Sequence, residues 1–309
     1  MTTKVRKPTW LLLPSILILA AGAHAQDARI SRAQREVVEA ERAFAKYSVE
    51  NGQPEAWMEF FSDDGLIFKG GPVNAKEFNR KLVPTPRPFV GVLNWEPRYG
   101  DIAQAGDMGY NFGPWIYVSN AEPKGIVAAG YFITIWKKQA DGKWKEAFDF
   151  GTPMSKPTAD HTLGQPFVPA RQYKFKVPKG ASPDDELHRL TDMEKAFAAK
   201  AAAKGVLDSY LEQVSEDAKV LRIAMLPGDK TALRSFIPPG KEGALEFVPI
   251  GGDVAKSRDL GYTYGRYEIT KRDLKKETGY YTHVWKRSEA GRWVIVMAGF
   301  RPDQHTGQN

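Results

Sequence analysis

Gly130-Tyr131-Phe132-Ile133-Thr134-Ile135-Trp136-Lys137-Lys138 is followed by a turn at Asp141-Gly142 and then by Lys143-Trp144-Lys145. The same pattern returns as Gly279-Tyr280-Tyr281-Thr282-His283-Val284-Trp285-Lys286-Arg287, a turn at Ala290-Gly291, and Arg292-Trp293-Val294. In each copy the two tryptophans stand eight residues apart, Trp136 to Trp144 and Trp285 to Trp293. An aromatic and β-branched run, a glycine-containing turn and a second such run predict a β-hairpin. The rest of the chain reads as two sets of elements built onto these hairpins.

Upstream of the first hairpin, Val37, Ala40, Phe44 and Tyr47 recur at helical spacing, with Ser31 placed to cap the helix. A short helix is expected after Gly52-Gln53-Pro54, then a turn at Ser62-Asp63-Asp64-Gly65, a strand at Leu66-Ile67-Phe68 and a third helix over 74–82. Pro84, Pro86 and Pro88 predict an extended loop. Upstream of the second hairpin the plan begins again. Ser182-Pro183-Asp184-Asp185 is a helix start with a cap, a first-turn proline and first-turn acids. Ala40-Glu41-Arg42-Ala43-Phe44-Ala45 returns as Met193-Glu194-Lys195-Ala196-Phe197-Ala198 at an offset of 153, and Asp107 to Trp115 returns as Asp259 to Tyr267 at 152. An ordered series of matches is the signature of a duplicated domain. The expected division is a first domain over 31–153, a Pro-rich linker over 154–181 and a second domain over 182–305, after a signal segment at 1–25.

That signal segment has a positive start (Lys4, Arg6, Lys7), a short apolar run from Trp10 to Ala23, and Ala23-His24-Ala25 as a cleavage site before Gln26. The run is short for a membrane span, which needs about 20 residues. A periplasmic or secreted mature chain is expected, with no membrane association after cleavage. Forty-four basic residues less these three leave 41 against 37 acidic, a net +4, interspersed and without the basic stripe of a nucleic-acid footprint. The absence of cysteine excludes disulfides, thiol nucleophiles and Cys-ligated zinc.

The order helix, short helix, strand, helix and then long antiparallel strands carries the Glu-Arg-Ala-Phe-Ala helix, the Gly109-Tyr110-x-Phe112-Gly113-x-Trp115 strand and the tryptophan hairpin. With these elements the chain resembles the nuclear transport factor 2-like superfamily, in its SnoaL-like bacterial branch, over both halves. The resemblance implies an α+β fold of two tandem cone-shaped domains, each a curved antiparallel sheet wrapped around helices with a pocket at the wide end. Single-domain members dimerise through their sheets, so the two halves here are expected to pack as an intramolecular pseudo-dimer within a monomeric chain. Activity does not follow, since that fold hosts isomerases, dehydratases, epoxide hydrolases, cyclases and binding modules.

Candidate site residues come from composition and alternation. Asp149, between Phe148 and Phe150, is the candidate catalytic acid or base, because a carboxylate among aromatics has its pKa raised by desolvation. Its counterpart in the second copy is Ala298. His283 stands where the first copy has Thr134 and is a candidate titratable ligand contact. Trp57, Tyr110, Trp115, Tyr131, Tyr262 and Tyr264 are candidate ligand-binding aromatics, with plain core as the alternative. Glu41 and Glu194, at matching helix positions, could point to the pocket, but charges on a surface helix read first as solvated. None of the five histidines has a partner at metal-ligand spacing, so neither metal nor cofactor is expected.

The favoured reading is non-catalytic binding of a small apolar or aromatic molecule. The rivals are a lyase, isomerase or hydrolase using Asp149 with a tyrosine, and a structural pair with filled pockets. The export signal generates the first prediction: sequencing the N-terminus of protein from its native host should read from Gln26. An intact Met1 on membrane-bound protein would overturn it.

Overall fold

Ser31 is extended and its hydroxyl accepts from the Gln34 amide, which starts helix α1 (Arg32–Asn51). Ser182 and Asp185 form a reciprocal capping box that starts α4 (Pro183–Lys195). A computed structural model describes residues 31–82, 91–122, 125–158, 161–171, 180–241, 243–270 and 275–303. The expected signal segment, the Pro84 to Pro88 loop, part of the linker, His24 and His305 lie outside the described residues.

The first half continues with α2 (Gln53–Phe60), β1 (Phe61–Phe68), β2 (Pro72–Asn74), α3 (Ala75–Leu82), β3 (Gly91–Trp95), β4 (Tyr99–Ile102), β5 (Met108–Ser119), β6 (Gly125–Lys138) and β7 (Trp144–Pro153). A short β8 (Val168–Pro169), from the linker stretch, joins β4. The second half has α5 (Phe197–Lys204), α6 (Val206–Leu211), β9 (Val214–Arg222), a 3₁₀ turn (Lys230–Ser235), β10 (Ala244–Val254), β11 (Leu260–Thr270), β12 (Lys276–Arg287) and β13 (Trp293–Pro302). The sheets run β2-β1-β7-β6-β5-β4-β8, with β3 also on β5, and β10-β11-β12-β13-β9. Each is a curved sheet with helices on one face, an α+β arrangement.

Pairing is antiparallel except where the first strand of each half joins the last in parallel, β1 with β7 and β9 with β13, and where β4 meets β8. Ser62 to Gly65, expected as a turn, lies within β1 at a register shift. The continuous β10 corresponds to β3 plus β4, which are interrupted in the first half at Glu96-Pro97-Arg98.

Period-two alternation gives each hairpin two apolar faces. Phe132 and Trp136 join Val37, Phe44, Trp57 and Trp95 in a core beneath the helices. Tyr131, Ile133 and Ile135 point the other way, into a cluster with Phe148, Phe150, Tyr262, Val284 and Met297 drawn from both halves. Ring centroids of Phe148 and Tyr262 are 5.1 Å apart, and those of Phe68 and Tyr280 5.7 Å. Gly299 permits this closeness, because a Cβ there would meet the Phe150 ring at 2.7 Å. Each buried aromatic contributes roughly 1.5–3 kcal/mol. The halves therefore pack sheet against sheet.

The interface also carries polar contacts in pseudo-two-fold pairs. Lys137 of the first half pairs with Asp253 of the second, and Lys286 of the second with Asp101 of the first. The Gln104 amide donates to Asp259 and the Lys256 amide to Asp107, each at 3.1 Å. The two ion pairs differ in burial: Lys286 and Asp101 side chains are 3% and 0% exposed, Lys137 and Asp253 37% and 32%. Burial by itself pulls the Lys286 ammonium down to about 7; a carboxylate in contact acts in the opposite sense.

Removing one partner of a buried pair strands the other charge, at a cost of about 3–5 kcal/mol, whereas an exposed pair is worth about 1 kcal/mol or less. Asp101→Asn should therefore lower denaturant stability by several times more than Asp253→Asn. Equal losses in urea melts would show that the pseudo-symmetric pairs are energetically alike.

Candidate functional site

Helix α1 turns one stripe toward the sheet: Val37, Glu41, Phe44 and Ser48, spaced three or four apart, are all buried. Glu41 is thus a fully buried carboxylate and not the solvated charge its place in a helix suggests. The sheet supplies its donors. Trp95 Nε1 donates to one oxygen at 2.7 Å. Thr134 Oγ1, Trp136 Nε1 and Asn111 Nδ2 donate to the other at 2.5, 2.7 and 3.1 Å. Burial raises the Glu41 pKa, and these donors pull it partway back.

Beside Glu41 lies a cavity of about 410 Å³. Its walls include Trp57, Trp95, Trp115, Tyr117 and Phe132, with two further carboxyl groups, Glu146 and Asp149, on β7. Residues three apart on a regular strand face opposite sides. Here Trp136 pairs with Glu146 and Ile135 with Phe148, so Ala147 is an extra residue, a β-bulge. The bulge brings Glu146, Asp149 and Gly151 to the cavity and leaves Phe148 and Phe150 on the interface between halves.

Glu146 is 1% exposed, and its Oε2 has no hydrogen-bond partner among the described residues. Burial, then the charges of Asp149 and Glu41, push its pKa well above the usual carboxylate range. Asp149 is pushed up to about 6, chiefly by burial; Glu41 adds to the rise, while Lys69 and Arg301 oppose it. Lys69 is exposed and sits 5.6 Å from the Trp57 ring centroid. Arg301 comes from β13 of the second half and donates to the Gly151 carbonyl at 2.8 Å.

The same register in the second half holds different residues. Trp285 pairs with Ile295, His283 with Ala298 and Tyr281 with Phe300, across a bulge at the same point. Glu146, Asp149 and Gly151 are thus replaced by Ile295, Ala298 and Phe300. Phe300 is fully buried, 5.0 Å from Phe236 and 6.2 Å from Tyr210 between ring centroids. Glu194, 2% exposed, accepts from Thr263 Oγ1 at 2.6 Å and Tyr281 OH at 2.7 Å, and contacts His283 Nδ1 at 2.7 Å. With Nδ1–H directed at that carboxylate, Nε2 accepts from Tyr210 OH at 2.6 Å. The space that is open in the first half is packed with rings in the second.

Of the residues singled out from sequence, Asp149, Trp57 and Trp115 line the cavity. Tyr110, Tyr131, Tyr262 and Tyr264 are not on its walls; they pack in the cluster between the halves. Alternation shows which residues share a face, but that face is the one closed by the other half. His283 is held in the second-half interior. Glu146, Trp95, Lys69 and Arg301 escaped the sequence reading, and Glu41 was weighed for the pocket but set aside as solvated. For Glu41 a signal existed: a carboxylate repeated at offset 153, in line with the apolar stripe. No group of three or more metal-ligating side chains is placed to hold an ion among the described residues.

No protein-family model and no curated protein matches the sequence. Solved structures similar to parts of it include a Catenulispora acidiphila protein in complex with S-DNPA, 12% identical over 38% of this chain and 91% of that one, TM-score 0.32. A ketosteroid isomerase-like protein from Erwinia carotovora is 12% identical over 38% of this chain and 97% of that one, TM-score 0.30. A nuclear transport factor 2-like protein with a cystatin-like fold from Novosphingobium aromaticivorans is 12% identical over 39% and 83%, TM-score 0.29.

The raised pKa of Asp149 has a thermodynamic consequence. Its folded value of about 6 exceeds the ordinary 3.8, so the native state binds the proton more tightly. Stability then falls as pH rises between about 4 and 6, and the penalty is full above that window. Asp149→Asn should stabilise the protein at pH 7.5, by about 1–3 kcal/mol, and have no effect near pH 3.5. Melting curves at the two pH values check this; destabilisation at pH 7.5 would mark Asp149 as a structural strand group.

Proposed function

We propose that the protein binds a small molecule with a flat apolar or aromatic body in the cavity of its first half, and that the second half is a filled partner completing the structure around it. One observation carries this reading. At one register the first half has Gly151 beside an open, aromatic-walled cavity, and the second half has Phe300 filling the equivalent space. A cavity of about 410 Å³ is of the size that takes a small ligand, and apolar walls with a few convergent polar groups are the usual form of such sites. The signal-like segment at residues 1–25 supports export, so the ligand would be met outside the cytoplasm. Among the described residues, no helix is long and apolar enough to cross a membrane.

A second reading, proton transfer by Asp149, is favoured by a specific feature: a carboxyl group on the cavity wall whose pKa is raised to about 6. Such a group is poised as a general base near neutral pH, and Glu146 beside it, its pKa raised by burial, could in its protonated form donate a hydrogen bond to developing negative charge. The tyrosine on this wall is Tyr117.

The second half suggests its own test. A Cβ at Gly151 would meet only Trp115 Nε1, at 3.9 Å, so the backbone tolerates a side chain there. Gly151→Phe should fold, fill the cavity as Phe300 does, and abolish quenching of tryptophan fluorescence by indole-sized aromatic probes that bind the wild type. Undiminished binding by Gly151→Phe would move the site elsewhere.

A further inference from the structure

Glu146 Oε2 is buried, lies on the cavity wall and lacks a donor. Among the described residues, no hydrogen-bond donor is placed on the Asp149 carboxylate either, although Lys69 and Arg301 act on it through their charge. Glu41 is different: four donors already occupy it, so it contributes charge to the cavity but no vacant acceptor. The bulge at Ala147 thus presents two acceptors side by side with nothing from the protein to satisfy them. A buried acceptor without a donor is costly, and a site built around one favours a ligand that brings the donor.

The protein's own cations do not fill this role. Lys69 is exposed and lies over Trp57, while Arg301 spends an N–H on the Gly151 carbonyl. On the cavity walls Glu41, Glu146 and Asp149 outnumber the cations Lys69 and Arg301, a balance that does not favour an anion. The indoles of Trp57, Trp95 and Trp115 on the same walls attract a positive charge through their ring quadrupoles.

We propose that the first-half cavity is a site for an organic nitrogen cation, an ammonium or amidinium group on a flat body, with Glu146 and Asp149 accepting its N–H donors and the tryptophans enclosing it. The proposal rests on the reading of this cavity as the ligand site and names the chemical class that site selects. The cation supplies what each wall lacks: donors for the acceptors of β7 and charge to balance the buried acids. An uncharged aromatic would use the apolar walls alone.

The groups facing Asp149 are Glu41 from α1, Glu146 from its own strand, Lys69 beyond β1 and Arg301 from β13. As Asp149 takes up its proton, the cation loses its charged acceptor, so the selectivity fades on acidification. The ligand's own ammonium stays charged throughout.

The test uses the mature full-length protein and three probes of one shape: 2-phenylethylammonium, 2-phenylethanol and 3-phenylpropionate, titrated at pH 7.5 by tryptophan fluorescence and calorimetry. The ammonium should bind at least about tenfold more tightly than the alcohol, and the carboxylate most weakly. Asp149→Asn should bring ammonium and alcohol affinities within about twofold, chiefly by weakening the ammonium. The preference should also fade between pH 7.5 and 5. Glu146→Gln should act in the same direction, and Asp149→Asn keeps the test decisive if that variant does not fold. Alcohol and ammonium binding equally tightly would overturn the cation proposal while sparing the cavity as a ligand site. Binding of all three probes unaffected by Gly151→Phe, or of none of them, would overturn both.

Discussion

A carboxylate buried where the first helix meets the sheet is the constraint each half must satisfy. Glu41 and Glu194 sit 0% and 2% exposed, and neither can remain there without donors. Each half solves this with side chains from its sheet, which fixes how helix and sheet are seated on each other. The solutions differ in bulk. In the first half, Trp95, Asn111, Thr134 and Trp136 reach Glu41 directly. In the second, Thr263, Tyr281 and His283 do so, with Tyr210 behind the imidazole and Trp285 donating to Thr263. Choosing Thr134 over a histidine, and Gly151 over a phenylalanine, leaves space beside the first carboxylate. The residues at these two registers thereby set how much space lies beside each carboxylate.

The bulge in the last strand of each half shows how a shared backbone feature can carry different content. At Ala147 it places two acids on one wall; at the equivalent point of β13 it places Ile295 and Ala298 there. Neither the bulge nor the sheet pairing accounts for the chemistry. The chemistry comes from acids at positions where the packed copy has apolar groups, with the consequence that burial raises the pKa of Glu146 and Asp149.

Much of the architecture was legible because it rests on local pattern. The hairpins, the caps at Ser31 and Ser182 and the two-faced strands follow from turn chemistry, capping and period two, and the structure contains them. The site was less legible for equally physical reasons. A glutamate in a helix is read as solvated unless its stripe is known to face a sheet, so for Glu41 the solvated reading outweighed the pocket one. Glu146 and Asp149 share a wall only through a bulge, which leaves no mark in the spacing of Trp136 and Trp144. Tyr110 and Tyr262 were grouped with the right strand neighbours, yet only the packing of two sheets reveals that their face is closed. Arg301 is remote in sequence from every residue it approaches in the first half.

The pairing of a hollow half with a filled one has an energetic logic. A dry, enclosed void of about 410 Å³ would cost about 10 kcal/mol on the scale of roughly 24 cal/mol per Å³ for apolar cavities. Carboxyl groups on its walls make this space polar, which lowers that cost at the expense of raised pKa values. The remaining burden falls on what surrounds the cavity. At the matching register the second half has Phe300 buried against Phe236 and Tyr210, and it presents Tyr262, Tyr264 and Tyr280 to Phe68 and Phe148 on the outer side of the first sheet. It also reaches the cavity itself through Arg301. Ion pairs and amide-to-carboxylate bonds, one buried Lys–Asp contact among them, fix the registration of the two sheets. The second half therefore covers the far side of a sheet whose near side lines the cavity.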